Sequence, residues 1–148
     1  MTQAQDVGVT LEVARRAWDS FVAAWESGDM SGIEEFFRDD STYHVPPFPD
    51  LGKQELKDYI EAFRQGFHDI HVPLEEDMVV DSRSLHRWRA DAVFAAATPL
   101  LPAQPTGQST TATGTLLFHW QDGQIVEAWH AGDWLGWLTR AGVLPPLG

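Results

Sequence analysis

The side chain best suited to proton chemistry is Asp133, in the segment IVEAWHAGDWLGWL, where a strand-like run gives way to a helix-like one. Its neighbours are tryptophans and leucines. A carboxylate enclosed by such residues loses hydration in its charged form and becomes a better proton acceptor. It could then take a proton from an activated CH2 between two carbonyls and return it later in the reaction. The competing reading is structural: an aspartate at this point caps the first turn of a helix.

An enolate formed by that proton removal needs a hydrogen-bond donor. Tyr43 and His44, in STYHV, and the indole N–H groups are the candidates. Two other constellations carry reactive residue types. His68 and His71 in HDIH precede Glu75 and Glu76, but residues three apart on a strand face opposite ways, and no third ligand is near, so no metal is expected. Arg89 and Asp91 in WRAD share one face of a strand and form the pair an epoxide-opening site would use.

The elements that must position these groups follow from the apolar spacing. Thr10 can cap a helix beginning at Leu11, whose stripe is Ala14, Trp18, Phe21 and Trp25, with Gly28 as its stop. A short second helix from Ser31 buries Ile33, Phe36 and Phe37 and ends near RDD. STYHV reads as a short strand, and the prolines of PPFPDLG interrupt regular structure. A third helix over KQELKDYIEAFRQGF carries Leu56, Ile60, Phe63 and Phe67 on one face. The period then changes to two. DIHVPLEEDMVV, LHRWRADAVFAAAT, STTATGTLLFHW and IVEAWHA read as strands, with Pro73 marking an edge or bulge in the first. DWLGWLTRAG closes as a short helix. Three helices followed by an antiparallel sheet define an α+β domain.

QDGQ places Asp122 and Gly123 at the centre of a tight hairpin. Strict alternation then sets Trp120, Phe118 and Leu116 on one face with Ile125, Glu127, Trp129, Ala131 and Asp133. His119, Leu117, Thr115 and Thr113 fall on the other, with Val126, Ala128 and His130.

A chain of 148 residues is expected to form one domain spanning 1–148, with loose ends at 1–9 and 145–148. The net charge of −12 disfavours nucleic acid and anionic membranes as partners. MTQAQDVGVT has neither the basic nor the apolar part of a secretory signal, and no apolar run reaches membrane-spanning length, so a cytoplasmic location is expected. The absence of cysteine excludes disulfides and thiol nucleophiles. Seven tryptophans and eight phenylalanines can build a core, and some can wall a pocket for an apolar ligand.

The segments FVAAWESGDMSGIEEFF, YHVPPFPDLGKQELKDYIEAFRQGFHDIHV, LPAQPTGQ and FHWQDGQIVEAWHAGDWLGWLTRAGVLP resemble the SnoaL-like polyketide cyclases of the nuclear-transport-factor-like superfamily. The resemblance covers about Val13 to Leu144. It implies a cone in which N-terminal helices pack on a curved, mostly antiparallel sheet around a cavity. It also implies a cofactor-independent cyclase of natural-product biosynthesis, closing a ring by intramolecular aldol condensation on a hydrophobic or aromatic small molecule. Asp133 matches the family's acid/base aspartate, and His44 a cavity histidine after the first strand. His119 resembles a second active-site histidine by its spacing from Asp133, although alternation puts it on the opposite face. Tyr43, Phe48, Tyr59, Phe63, Trp88, Leu116, Phe118, Trp129 and Trp134 are the expected substrate contacts. Two departures concern the rim: FHD replaces the family's Phe-Pro-Asp, and extra residues precede QPTG. The open sheet face with Leu117 and its threonines implies a homodimer. Epoxide opening in the same cavity and non-catalytic binding of a small molecule are the alternative functions.

Overall fold

Helix α1 (Leu11–Ser27) starts where the Thr10 side chain accepts a hydrogen bond from the Val13 N–H at 3.2 Å. It stops at Gly28, whose φ of 79° is left-handed and suits glycine. Between them the apolar stripe is buried as spaced: Ala14, Ala17, Trp18, Phe21, Ala24 and Trp25. The computed structural model describes residues 8–146. The ends expected to be loose lie partly outside those residues, but Val9 is fixed, donating its N–H to the Asp81 carbonyl at 3.0 Å.

After α2 (Ser31–Phe36) the chain enters strand β1 (Phe37–His44) directly, so the second helix does not reach RDD. The reason is local. From Phe37 onward burial goes to Phe37, Ser41 and Tyr43, a spacing that only an extended chain can satisfy. Helix α3 (Lys53–Gly66) follows the proline-rich loop and buries Leu56, Tyr59, Ile60 and Phe63. At its start the Gly52 N–H donates to Glu55 Oε1 at 3.1 Å.

The next run splits at Pro73, which has no N–H to donate. Its halves are β2 (Phe67–His71) and β3 (Leu74–Val80), both paired with the long strand β4 (Arg83–Phe94). Strands β5 (Ser109–Gln121) and β6 (Gln124–Gly132) form the Asp-Gly hairpin, with positive φ at both Asp122 and Gly123 as a tight primed turn requires. Helix α4 (Trp134–Arg140) ends the regular structure. The sheet order is β1-β6-β5-β4-β2, with β3 also on β4. Every pairing is antiparallel except β1 with β6. The sheet curls against α1 and α3, and the core lies between them.

One irregularity decides what faces that core. Trp120 pairs with Ile125, but His119 pairs with Glu127, which leaves Val126 as an extra residue in β6. The bulge inverts the alternation beyond it. Ala128, His130 and Gly132 therefore join Phe118, Leu116 and Gly114 on the inner face, opposite to the strict reading. Glu127, Trp129 and Ala131 turn outward with His119, Leu117 and Thr115. A strictly alternating strand would have put the Glu127 carboxylate into the core beside Phe118, at a high desolvation cost.

Candidate active site

The concave side of the sheet and the helices border a cavity that opens to solvent at its mouth. Trp18, Phe21, Val22 and Trp25 of α1 form one wall, and Tyr59 and Phe63 of α3 continue it. The sheet contributes Trp88, Ala90, Ala112, Leu116, His130 and Gly132. Phe48 from the proline-rich loop and Trp134 from α4 meet at 5.7 Å between ring centroids, and Phe48 also packs on Tyr59 at 5.3 Å. The walls are thus mainly aromatic and aliphatic.

Six of the expected substrate contacts line the cavity: Phe48, Tyr59, Phe63, Trp88, Leu116 and Trp134. Phe118 is fully buried in the core and Trp129 faces away from the cavity. Tyr43 is buried at 1% exposure, and its hydroxyl lies 2.6 Å from Nδ1 of His130. Trp18 and Trp25, from the apolar stripe of α1, also line the space.

Asp133 lines the cavity, but it is not enclosed. Its side chain is 45% exposed. Oδ1 accepts the Gly136 N–H at 2.9 Å, capping α4, and Oδ2 lies 3.3 Å from the Arg140 guanidinium. The cap reading therefore holds, whereas the expected enclosure of the carboxylate does not, although the residue borders the cavity. A carboxylate has about four acceptor positions, so these two contacts leave room for a third.

His44 does not face the cavity. Neighbouring strand residues alternate, and with Tyr43 inside, His44 is outside. There its Nε2 lies 2.6 Å from Glu127 Oε2, its Nδ1 lies 2.9 Å from Asp50 Oδ1, and its ring stacks on Trp129. The two carboxylates raise its pKa above the ordinary histidine value. His119 is likewise on the outer face, opposite Arg83 and Glu127, and the bulge that would have had to rotate it inward acts instead on β6.

Arg89 and Asp91 also lie outside the cavity. Their side chains meet at 3.3 Å on the outer face, because Trp88, Ala90 and Ala92 take the inner positions of β4. His71 pairs with Glu26 at 3.4 Å. Among the described residues no three histidine or carboxylate side chains converge as a metal site would require. No helix among them is long and apolar enough to cross a membrane.

The group missed by strict alternation is His130. Trp88 packs edge-on against its ring, with centroids 5.3 Å apart and planes at 87°. Burial lowers its pKa to about 4, so the imidazole is neutral near pH 7. The available signal was the charge on Glu127: a register that buries a carboxylate beside Phe118 is a register to doubt.

A curled sheet closed by helices over an apolar chamber, with a few polar side chains at its wall and mouth, defines a small-molecule site. A profile of the SnoaL-like polyketide cyclases matches residues 13–140, and the chain belongs to that family. Its fold is the nuclear-transport-factor-like cone. Among solved structures it is similar to AclR of Streptomyces galilaeus, a candidate hydroxylase, with 22% identity over 94% of this chain and 87% of that one, at a TM-score of 0.80. It is similar to TsrD of Streptomyces laurentii, with 18% identity, 92% and 99% coverage and a TM-score of 0.81. IdmH of Streptomyces antibioticus, a candidate polyketide cyclase, gives 20% identity, 87% and 98% coverage and a TM-score of 0.72. At these identities the likeness carries the fold alone. No protein with a curated description matches the chain in sequence.

Proposed function

We propose that the protein closes a ring on a hydrophobic, carbonyl-rich small molecule by intramolecular aldol chemistry, as a cytoplasmic enzyme of natural-product biosynthesis. The observation that carries this reading is the position of Asp133, at the wall of a chamber otherwise made mostly of aromatic and aliphatic side chains. The family assignment supports a cyclase-type role.

The steps are two proton transfers and one carbon–carbon bond formation, and no cofactor enters them. The Asp133 carboxylate takes a proton from a CH2 between two carbonyls, and the resulting enolate carbon attacks a ketone of the same molecule. The neutral Asp133 then gives its proton to the new alkoxide, so substrate and product are isomers. The aromatic walls hold the chain folded with its reacting carbons together, which supplies much of the acceleration.

The test is incubation with a bicyclic aromatic triketone, in which two carbonyls flank an active methylene and the third lies within ring-closing reach, followed by mass spectrometry and chromatography for an isomer of unchanged mass. Wild-type protein should form it, and Asp133→Asn should form it at least about 100-fold more slowly. Equal rates would remove the acid/base role.

The exposure of Asp133 and its pairing with Arg140 favour a second reading, a non-catalytic binder of the same ligands. Binding of the triketone without any turnover would select it. Epoxide opening loses its candidate pair, since Arg89 and Asp91 are outside the chamber. In either case the outer sheet face, with Leu117, Thr113 and Thr115, is proposed to pair two copies of the chain. Sedimentation equilibrium should give twice the chain mass, and Leu117→Glu should give the chain mass itself.

A further inference from the structure

We propose that His130, held in one tautomer by Tyr43, donates its Nε2 hydrogen to the carbonyl oxygen that gains negative charge when the bound substrate is enolised. The inference rests on the proposed enolising cavity and names the residue that stabilises its intermediate. His130 is then a catalytic residue, and Tyr43 a positioning residue.

The tautomer follows from Tyr43. Burial, with Tyr59 close by, pushes the Tyr43 hydroxyl well above its ordinary pKa, so it keeps its proton. Nδ1 of His130, at 2.6 Å, is the one hydrogen-bond partner of that hydroxyl among the described residues, so donation to Nδ1 is the arrangement that leaves no buried O–H unbonded. A neutral imidazole accepting at Nδ1 carries its own hydrogen on Nε2.

The direction of Nε2 follows from Gly132. A Cβ built on Gly132 would sit 3.3 Å from Nε2 of His130 and 3.1 Å from the Trp88 ring. Gly132 and His130 both line the chamber, so this nitrogen lies at its wall, where a side chain on residue 132 would crowd it. Among the described residues no protein group is bonded to Nε2. Trp88, edge-on to the imidazole, limits its rotation. A donor fixed in place and free of partners is what a developing oxyanion requires.

The charge balance is complete without a proton leaving His130. The proton removed from carbon goes to the Asp133 carboxylate. The negative charge that appears on the substrate oxygen is met by the Nε2 hydrogen. The depressed pKa suits this role, because a neutral imidazole polarises a carbonyl without becoming a competing acid.

Two measurements test the inference. The first is 15N NMR of His130 in the wild-type protein at pH 7. The Nε2–H tautomer is expected, with a mixture of tautomers in Tyr43→Phe; a wild-type Nδ1–H tautomer or a charged ring would overturn the proposal. The second compares binding of 2-naphthol, whose oxygen stands in for an enol, with binding of isosteric 2-methylnaphthalene. Wild-type protein should hold 2-naphthol at least about tenfold more tightly, the factor corresponding to one hydrogen bond. His130→Phe should hold the two alike, and His130→Gln should recover part of the preference. If both ligands bind wild-type protein equally, His130 is not the donor, although the chamber still takes apolar molecules. If neither ligand enters, the small-molecule reading of the chamber fails, and the His130 role with it.

Discussion

Tyr43 and His44 are consecutive in β1 and project to opposite faces of the sheet, Tyr43 to His130 inside and His44 to Glu127 outside. One dipeptide thus ties β1 to β6 twice. The inner bond sets the orientation of a group on the chamber wall. The outer bond is an ion pair on the convex surface, and it has no view of the chamber.

Replacement of Asp133 separates its two roles. Asparagine is as good a helix cap as aspartate, whereas alanine costs about 1 kcal/mol. Asp133→Asn should therefore unfold at the wild-type urea concentration and lose turnover, and Asp133→Ala should lose both. Equal activity losses without any stability loss in the alanine variant would mean that the cap to Gly136 adds nothing.

Acid should weaken the fold through two inward histidines. His86 is fully buried, stacked on Trp18 at 4.9 Å, and burial lowers its pKa to about 4, as it does for His130. Between about pH 6.5 and 4 the unfolded chain binds protons that the folded one refuses, so stability falls as pH falls through that window. For His86 the loss is roughly 3 kcal/mol across it. Urea unfolding at steps of pH should show the decline, and His86→Gln should flatten its slope. An unchanged slope would place the acid sensitivity elsewhere.

The His44 clamp has the opposite sign. Its folded pKa is raised by Glu127 and Asp50, so its contribution is complete below the unfolded value near 6.5 and disappears as pH rises through the folded one. Because the pair is partly exposed, its worth is about 0.5–1 kcal/mol. Glu127→Gln should lower the His44 pKa seen by NMR and remove that increment at pH 6 while leaving stability at pH 9 nearly unchanged. A His44 titration unaffected by the substitution would dissolve the clamp.

Gly114 makes room for the Trp88 ring, which lines the chamber. An added Cβ there would meet the Trp88 ring at 2.4 Å and the Ala131 carbonyl at 2.6 Å. Gly114→Ala should cost about 1–3 kcal/mol through overpacking and push Trp88 out of its place. Thermal unfolding and 2-naphthol affinity should both fall. Unchanged affinity would show that Trp88 does not shape the ligand space.

The elements were legible wherever one residue type acts alone. Thr10 and Gly28 bound α1, and Asp122-Gly123 place the hairpin, because caps and primed turns depend on local backbone geometry. The family ending around Asp133 was equally plain, and that residue does line the chamber. The inward set of β6 was not legible. A bulge adds one residue with no special composition, and Val126 looks like any strand valine. Trp129 was misplaced for this reason: side-chain direction depends on parity, and parity depends on pairing with distant strands. Alternation set His119 on the outer face, and it and His44 entered the expected site through the family resemblance alone. The parallel partner of β6, β1, is joined to it through most of the chain, so no short-range pattern announces it.

Val126 also has a meaning for descent. Deleting its codon would keep Glu127 and Trp129 outdoors and His130 indoors, because the pairs His119–Glu127 and Leu116–His130 would then follow Trp120–Ile125 without a break. The contents of the chamber are thus indifferent to the loss of this valine. What inheritance must keep is the residue count from Glu127 to His130.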